Sequence, residues 1–238
     1  MPNHVTNAII MKNITKLPVF GEYDDSKDSK PELYFDFNKI IPMPDELQVV
    51  SGSIENIAVE MAIRLYDKNG EAYQEYHQYS DEDFENRRKN YTESDLELAD
   101  IGLKYLTNAV KYNASNWYIW CNRNWGTKWN SYKLNVINKD CITFQTAWAP
   151  PVPVLIELSR MNPKTPIFHY WCDEVGGIGS GYFEYLNGEV IKHDFTSGED
   201  EHHISKYTEI VWNLSEKCFV YDKKKDLNIL VEPIDNVA

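Results

Sequence analysis

Residues 131–161, SYKLNVINKDCITFQTAWAPPVPVLIELSRM, read in order as strand, turn, strand and helix. The runs SYKLNVI and CITFQTAW are rich in β-branched and aromatic residues, and Asn138-Lys139-Asp140 between them supplies turn formers. In the second run Ile142, Phe144 and Trp148 point one way, and Thr143, Gln145 and Ala147 the other. Pro150 and Pro151, then Pro153, open a short helix in which Val154, Leu155 and Leu158 face inward. Asn162-Pro163 ends it. A hairpin followed at once by an amphipathic helix needs a further strand to receive it, and PIFHYWCDEV (166–175) supplies one.

Working outward, His4 to Ile14 reads as a first strand. EYDDSKDSKPE (22–32) reads as an exposed loop, and LYFDFNKII (33–41) as a half-buried strand stopped by Pro42 and Pro44. Ser53 caps a helix with Ile54, Ile57, Ala58, Met61 and Leu65 on one face. Thr92 opens another with the stripe Leu96, Ala99, Leu103, Leu106 and Val110. The segment 66–91 has too few apolar residues to pack deeply and reads as a surface excursion. From Trp117 the pattern turns strand-like. GGIGSG (176–181) reads as a flexible turn, GYFEYLNGEVIKHDF (181–195) as one or two strands, and the tail as a helix through Ile204, Tyr207, Val211 and Leu214 plus a short apolar run. A strand, a helical crossover, a hairpin, a helix and a returning strand make a split β-α-β arrangement. The expected fold is therefore α+β, a single ferredoxin-like domain over 1–238 with helices on one face of the sheet. Residues 66–116 form an acidic helical insertion in its first crossover, and 199–238 a C-terminal extension.

Composition narrows the function classes. The formal net charge is −13. Residues 51–116 carry 13 acidic and 7 basic groups, whereas 117–198 carry 7 of each. A phosphate backbone is repelled by such a surface, so direct nucleic-acid binding is not expected, and a basic protein partner would be attracted. No run reaches the ~18–20 apolar residues of a membrane span, and the N-terminus lacks a signal-peptide pattern. The expected compartment is the cytoplasm. The four cysteines, Cys121, Cys141, Cys172 and Cys218, fit no zinc spacing and read as small buried hydrophobes. No metal or cofactor is expected.

Two candidate sites emerge. Trp117, Trp120, Trp125 and Trp129 fall within thirteen residues. This density reads first as core, with Trp125 and Trp129 mostly buried. The functional alternative is a pocket with Trp125, Thr127, Lys128, Trp129 and Asn130 on its wall. His169 and Glu174, from the titratable run HYWCDE, complete it for small-molecule binding or hydrolysis. That run also places His169 and Asp173 on one strand face. Yet there is no metalloprotease helix, phosphate loop, nucleophile elbow or dinucleotide fingerprint, and no catalytic residue is assigned. The other candidate is an acidic surface of Glu82, Asp83, Glu85, Glu93, Asp95, Glu97 and Asp100.

The opening MPNHVTN (1–7), the block NWGTKWN (124–130) and FQTAWAPP…LSR…HYWCDEVGGIGSG (144–181) resemble the YubB-like ferredoxin-domain proteins of phages and conjugative plasmids. The resemblance covers roughly 1–14, 33–66 and 117–195. It implies the ferredoxin-like fold and a mobile-element context, and no reaction. Family members often have aspartate where this chain has Asn130. In that context the expectation is a non-catalytic accessory protein in the bacterial cytoplasm. It would bind a host protein, such as a nucleic-acid-binding defence complex, as a counter-defence inhibitor of anti-CRISPR or anti-restriction type.

Overall fold

Alternating apolar positions and turn formers build the strands in the order expected. The computed structural model describes residues 3–23, 31–66, 89, 91–174, 179–195 and 206–231. The chain divides into two compact units, residues 1–42 with 122–238, and residues 43–121.

The first unit is built on one six-stranded sheet. Its strands are β1 (His4–Ile10), β4 (Tyr132–Asn138), β5 (Cys141–Ala147), β6 (Ile167–Asp173), β7 (Ser180–Leu186) and β8 (Glu189–Phe195). Their order is β4-β5-β1-β6-β7-β8, antiparallel throughout. The first four of these make the split arrangement read from the sequence, with β1 between β5 and β6. A separate hairpin joins β2 (Phe20–Tyr23) and β3 (Glu32–Phe35). The strand expected over 33–41 stops at Phe35, because a helical turn at Phe37–Lys39 follows, capped by Asp36, whose side chain accepts from the Asn38 N–H. β2 falls at the start of what reads as loop.

One face of the sheet carries Val5, Asn7 and Ile9 with their cross-strand partners Thr146, Phe144, Ile142, Trp171 and His169. Phe35 and Phe37 pack on Phe144, and Trp125 on Phe37. Beside them lies α4 (Val152–Met161), with Val154, Leu155 and Leu158 fully buried. The other face carries Ala8, Ile10 and Cys172. Val211 of α5 (Lys206–Trp212) and Leu227 of the β9–β10 hairpin (Phe219–Asp222 and Leu227–Leu230) cover it. The C-terminal extension thus adds a helix on the face opposite α4. Buried Asp140, in the β4–β5 turn, anchors it by accepting from the Asn228 backbone N–H (3.1 Å) and side-chain amide (2.6 Å), and from the Asn13 N–H (2.7 Å). A buried carboxylate with several donors is satisfied, so it binds segments together without an unpaired charge.

The second unit contains α1 (Ile54–Tyr66) and α2 (Glu93–Tyr112). Their buried faces are Ala58, Ala62 and Leu65 on α1, and Ala99, Gly102, Tyr105 and Asn108 on α2. Of the stripes expected for these helices, Ala58, Leu65 and Ala99 are buried and Met61, Leu96, Leu103 and Leu106 half-buried, whereas Ile57 is 57% and Val110 68% exposed. Close approach selects the small residues. A Cβ on Gly102 would stand 1.9 Å from the Ala58 carbonyl oxygen. The stretch from Trp117, read as strand, is instead helix α3 (Trp117–Asn124). Asn116 starts it by accepting the Ile119 N–H at 3.1 Å. Cys121, Cys141 and Cys172 are buried and Cys218 is half-buried. Burial raises the Cys121 and Cys172 thiols to about 12, so they are inert at neutral pH.

Candidate functional site

The WGTKW block is a clasp at the end of β5. Trp125 is 3% exposed and donates its indole N–H to the Ile41 carbonyl at 2.9 Å. Gly126 takes a left-handed φ of 76° beside Pro153. Thr127 donates its hydroxyl to the Ala147 carbonyl at 2.7 Å. Asn130 accepts the Phe37 and Ser131 N–H groups, both at 2.9 Å, and donates to Asp36 at 2.8 Å. An aspartate could not make that last donation, which gives asparagine a structural reason at this position. Trp129, expected buried like Trp125, is only half-buried. The Lys128 ammonium lies 4.6 Å from the Trp129 ring centroid and 4.8 Å from that of Trp148, a cation held between two indoles. Trp148 has left the strand at φ 76° and is 44% exposed.

His169 does not join that block in a pocket. It is fully buried between β1 and β7, stacked on Phe183 and Tyr185. Its Nε2 lies 3.0 Å from Asn7 Oδ1 and its Nδ1 3.2 Å from the Tyr185 hydroxyl. The Asn7 amide donates to Thr146 Oγ1 at 2.9 Å, so its carbonyl is the acceptor toward His169. That orientation puts the proton on Nε2 and makes Tyr185 the donor to Nδ1. Desolvation by burial lowers the imidazole pKa from 6.5 to about 3. A neutral histidine with both nitrogens engaged and no path to solvent is a core linker, not an acid–base group. Glu174 is exposed, with Oε2 3.4 Å from the His4 N–H. Among the described residues no cluster of three or more His, Cys, Asp or Glu could hold a metal ion.

The acidic candidates divide differently. Glu82, Asp83 and Glu85 lie outside the described residues. Glu93, Glu97 and Asp100 are exposed on α2. Asp95 is committed to the helix start: it accepts the Thr92 N–H at 3.0 Å and hydroxyl at 2.6 Å, while Thr92 accepts the Asp95 N–H. Those hydrogen bonds lower its pKa. The sequence reading missed Asp45 and Glu46, which meet Asp100, Val49, Leu103 and Lys104 around a cleft of about 650 Å³ within this unit. The signal was present in PDEL (44–47), a proline followed by two acids ahead of a leucine. Asn108 fixes the turn by donating to the Glu46 carbonyl at 2.8 Å. Glu46 also pairs with Lys111 at 3.0 Å. A backbone N–H and then Lys111 hold its carboxyl near 2, so it stays ionised at neutral pH.

With this geometry in place, the chain can be set beside known proteins. Residues 124–215 match the family model described as the ferredoxin-like domain in Api92-like protein. A ferredoxin-like domain of that family is therefore found here, over the part of the first unit from the clasp to α5. A crystal structure of a protein api92 from Yersinia pseudotuberculosis aligns over 84% of this chain and 100% of its own length, at 10% identity and a TM-score of 0.37. No curated protein matches the chain. No helix of the described residues is long and apolar enough to cross a membrane.

Proposed function

We propose that this chain is a non-catalytic accessory protein of a phage or other mobile element, of the YubB-like kind, acting in the bacterial cytoplasm. It binds a host protein through the acidic surface of its second unit. The partner is a basic nucleic-acid-binding protein, as in a restriction or CRISPR complex, whose phosphate-binding surface the acid would occupy. The observation that carries this reading is the concentration of charge. Residues 43–121 hold 15 acidic and 7 basic groups, a net of −8, while the remaining 159 residues hold 22 and 17, a net of −5. The cleft lined by Asp45, Glu46 and Asp100 supports it by bringing three carboxylates together with apolar cover from Val49 and Leu103. Lys104 is the basic residue among them, and Glu46 is already paired with Lys111. Such a site suits an arginine or lysine whose stem needs cover as well as its charge. Burial of His169 argues against the hydrolytic alternative.

The test is affinity capture from bacterial lysate on the immobilised full chain, with Glu93→Gln, Glu97→Gln and Asp100→Asn combined as the comparison bait. A basic nucleic-acid-binding protein should be recovered by the parent, released by high salt, and lost from the triple variant. Equal capture by both baits would sink the proposal.

A further inference from the structure

The β2–β3 hairpin and the edge strand β4 enclose a second cleft, of about 350 Å³, entirely within the first unit. Tyr23, Leu33, Tyr34 and Tyr132 supply its apolar walls, and Glu32 and Lys133 its charges. Three observations indicate a built site. The hairpin is pinned beside β4, because Ser131 donates its hydroxyl to the Phe35 carbonyl at 2.7 Å and Asn130 holds Phe37 and Asp36. The Tyr34 side chain lies across its strand partner Gly21, where a Cβ would stand 2.5–2.7 Å from two ring carbons and the hydroxyl oxygen. A side chain there would push that wall aside. Tyr132 is fixed too: its hydroxyl sits 2.6 Å from His4 Nδ1 and donates to the Thr146 carbonyl at 3.1 Å. It therefore offers the cleft its ring.

Lys133 adds a fourth. The β4–β5 register shifts between Tyr132 and Asn135, and Lys133 there adopts a left-handed φ of 51°. A bulge re-aims side chains out of the ladder, and glycine would carry this conformation without strain. The chain instead keeps a lysine at the mouth of the cleft.

We propose that this cleft binds a small ligand in which a flat ring carries both an N–H donor and an anionic group. The ring lies against Tyr34 and Tyr132, Glu32 accepts from the donor, and Lys133 pairs with the anion. A nucleoside monophosphate and an aromatic amino acid share this chemistry and suit a volume near the lower end of small-ligand sites, ~300 Å³. The site is built from first-unit residues alone and does not depend on the partner proposed for the acidic residues of the second unit.

The experiment is calorimetric titration of the full chain with adenosine monophosphate and with phenylalanine, beside adenosine and inorganic phosphate as fragments. Saturable binding of one of the first two is expected, with either fragment at least ~10-fold weaker, and which of the two binds separates nucleotide from amino acid. Lys133→Gly removes the ammonium while suiting the left-handed backbone, so it should weaken binding about 10-fold without lowering the melting temperature. Glu32→Gln should weaken it as well. Absence of saturable binding to both ligands, or equal binding by Lys133→Gly, would overturn the proposal.

Discussion

The two units solve the same packing problem with opposite materials. The sheet unit fills its interior with large rings, Phe35, Phe37, Trp125, Phe144 and Tyr185, and threads a polar chain from Tyr185 through His169 and Asn7 to Thr146 among them. The helical unit closes its seam on Ala58, Ala62, Ala99 and Gly102, buries Leu65 and Tyr105 as well, and leaves Ile57 and Val110 outside. Among the described residues, Glu93, Glu97 and Asp100 are exposed on α2. The comparison teaches where chemistry is to be sought. In the first unit His169, which looks functional along the chain, is a neutral structural link, and the exposed cleft lies at the sheet's edge. In the second, the described residues form a plain helix pair that exposes these three acids.

The largest effects should come from breaking each packing style at its tightest point. Trp125→Ala removes a buried indole and its hydrogen bond, and is expected to cost about 3–5 kcal/mol. Gly102→Ala places a Cβ against the Ala58 carbonyl, where backbone must move, and is expected to cost about 3 kcal/mol. Denaturant titration gives the totals. Hydrogen exchange should place the Trp125→Ala loss in β1, β5 and β6 and the Gly102→Ala loss in α1 and α2. If Gly102→Ala were neutral, the close helix seam would be refuted.

The buried histidine sharpens the contrast through pH. The unfolded imidazole binds a proton below about 6.5, whereas burial holds the folded one neutral down to about 3. Between these values the unfolded state carries more protons, so stability is greatest above pH 6.5 and falls as pH drops toward 3. The full loss is on the order of 4 kcal/mol across that window. His169→Gln should flatten this slope, measured by denaturant midpoints at pH 7, 5.5 and 4. An unchanged slope would show that His169 is not held neutral.

Much of this was legible in the sequence, and the exceptions have physical causes. Period-two alternation over 131–147 and the prolines at 150–153 locate the β4–β5 hairpin and α4, because burial on one face demands that pattern. Period alone could not place α3, since WYIWCNRN is apolar without being clearly helical, and its start depends on the single Asn116 side chain. The helix stripes place Ala58, Leu65 and Ala99 correctly and miss at Ile57 and Val110. A close seam also selects for small size, which is why Gly102 is buried although no apolar pattern marks it. Trp125, Thr127 and Asn130 make structural hydrogen bonds in the clasp, whereas His169 is held by Asn7, 162 residues away, a partner that its titratable neighbours along the chain do not reveal. The tyrosine cleft was beyond reach because β2 had not been recognised as a strand.

A smaller effect should come from the clasp. Lys128→Met keeps the apolar stem and removes the charge between Trp129 and Trp148. Cation–π contacts at partly exposed sites contribute about 0.5–1 kcal/mol, so the variant should melt only slightly lower. Tryptophan fluorescence should change with it, since both indoles lose a neighbouring ammonium. A loss as large as that of Trp125→Ala would mean that the clasp belongs to the core and that the half-exposed rings carry more of the fold than their surroundings indicate.

The smallest expected change in stability is also the one that tests the charge of the second unit. Glu93, Glu97 and Asp100 are exposed on α2, so replacing them by Gln, Gln and Asn removes like-charge repulsion and little packing. The stability should stay within about 0.5 kcal/mol of the parent's. Glu93 lies in the first turn, where its negative charge favours the helix, and that term partly offsets the relief. Asp95 is left in place because it caps the helix. Association with a polylysine probe should slow about 10-fold at low salt, and the difference should vanish near 1 M, where screening shortens to ~3 Å. Adding Asp45→Asn should slow it further, because that carboxylate shares a cleft with Asp100. Equal rates for parent and variants would make these acids a solvated helix face, and the working surface would then lie in the first unit, at the tyrosine cleft or the exposed Trp148.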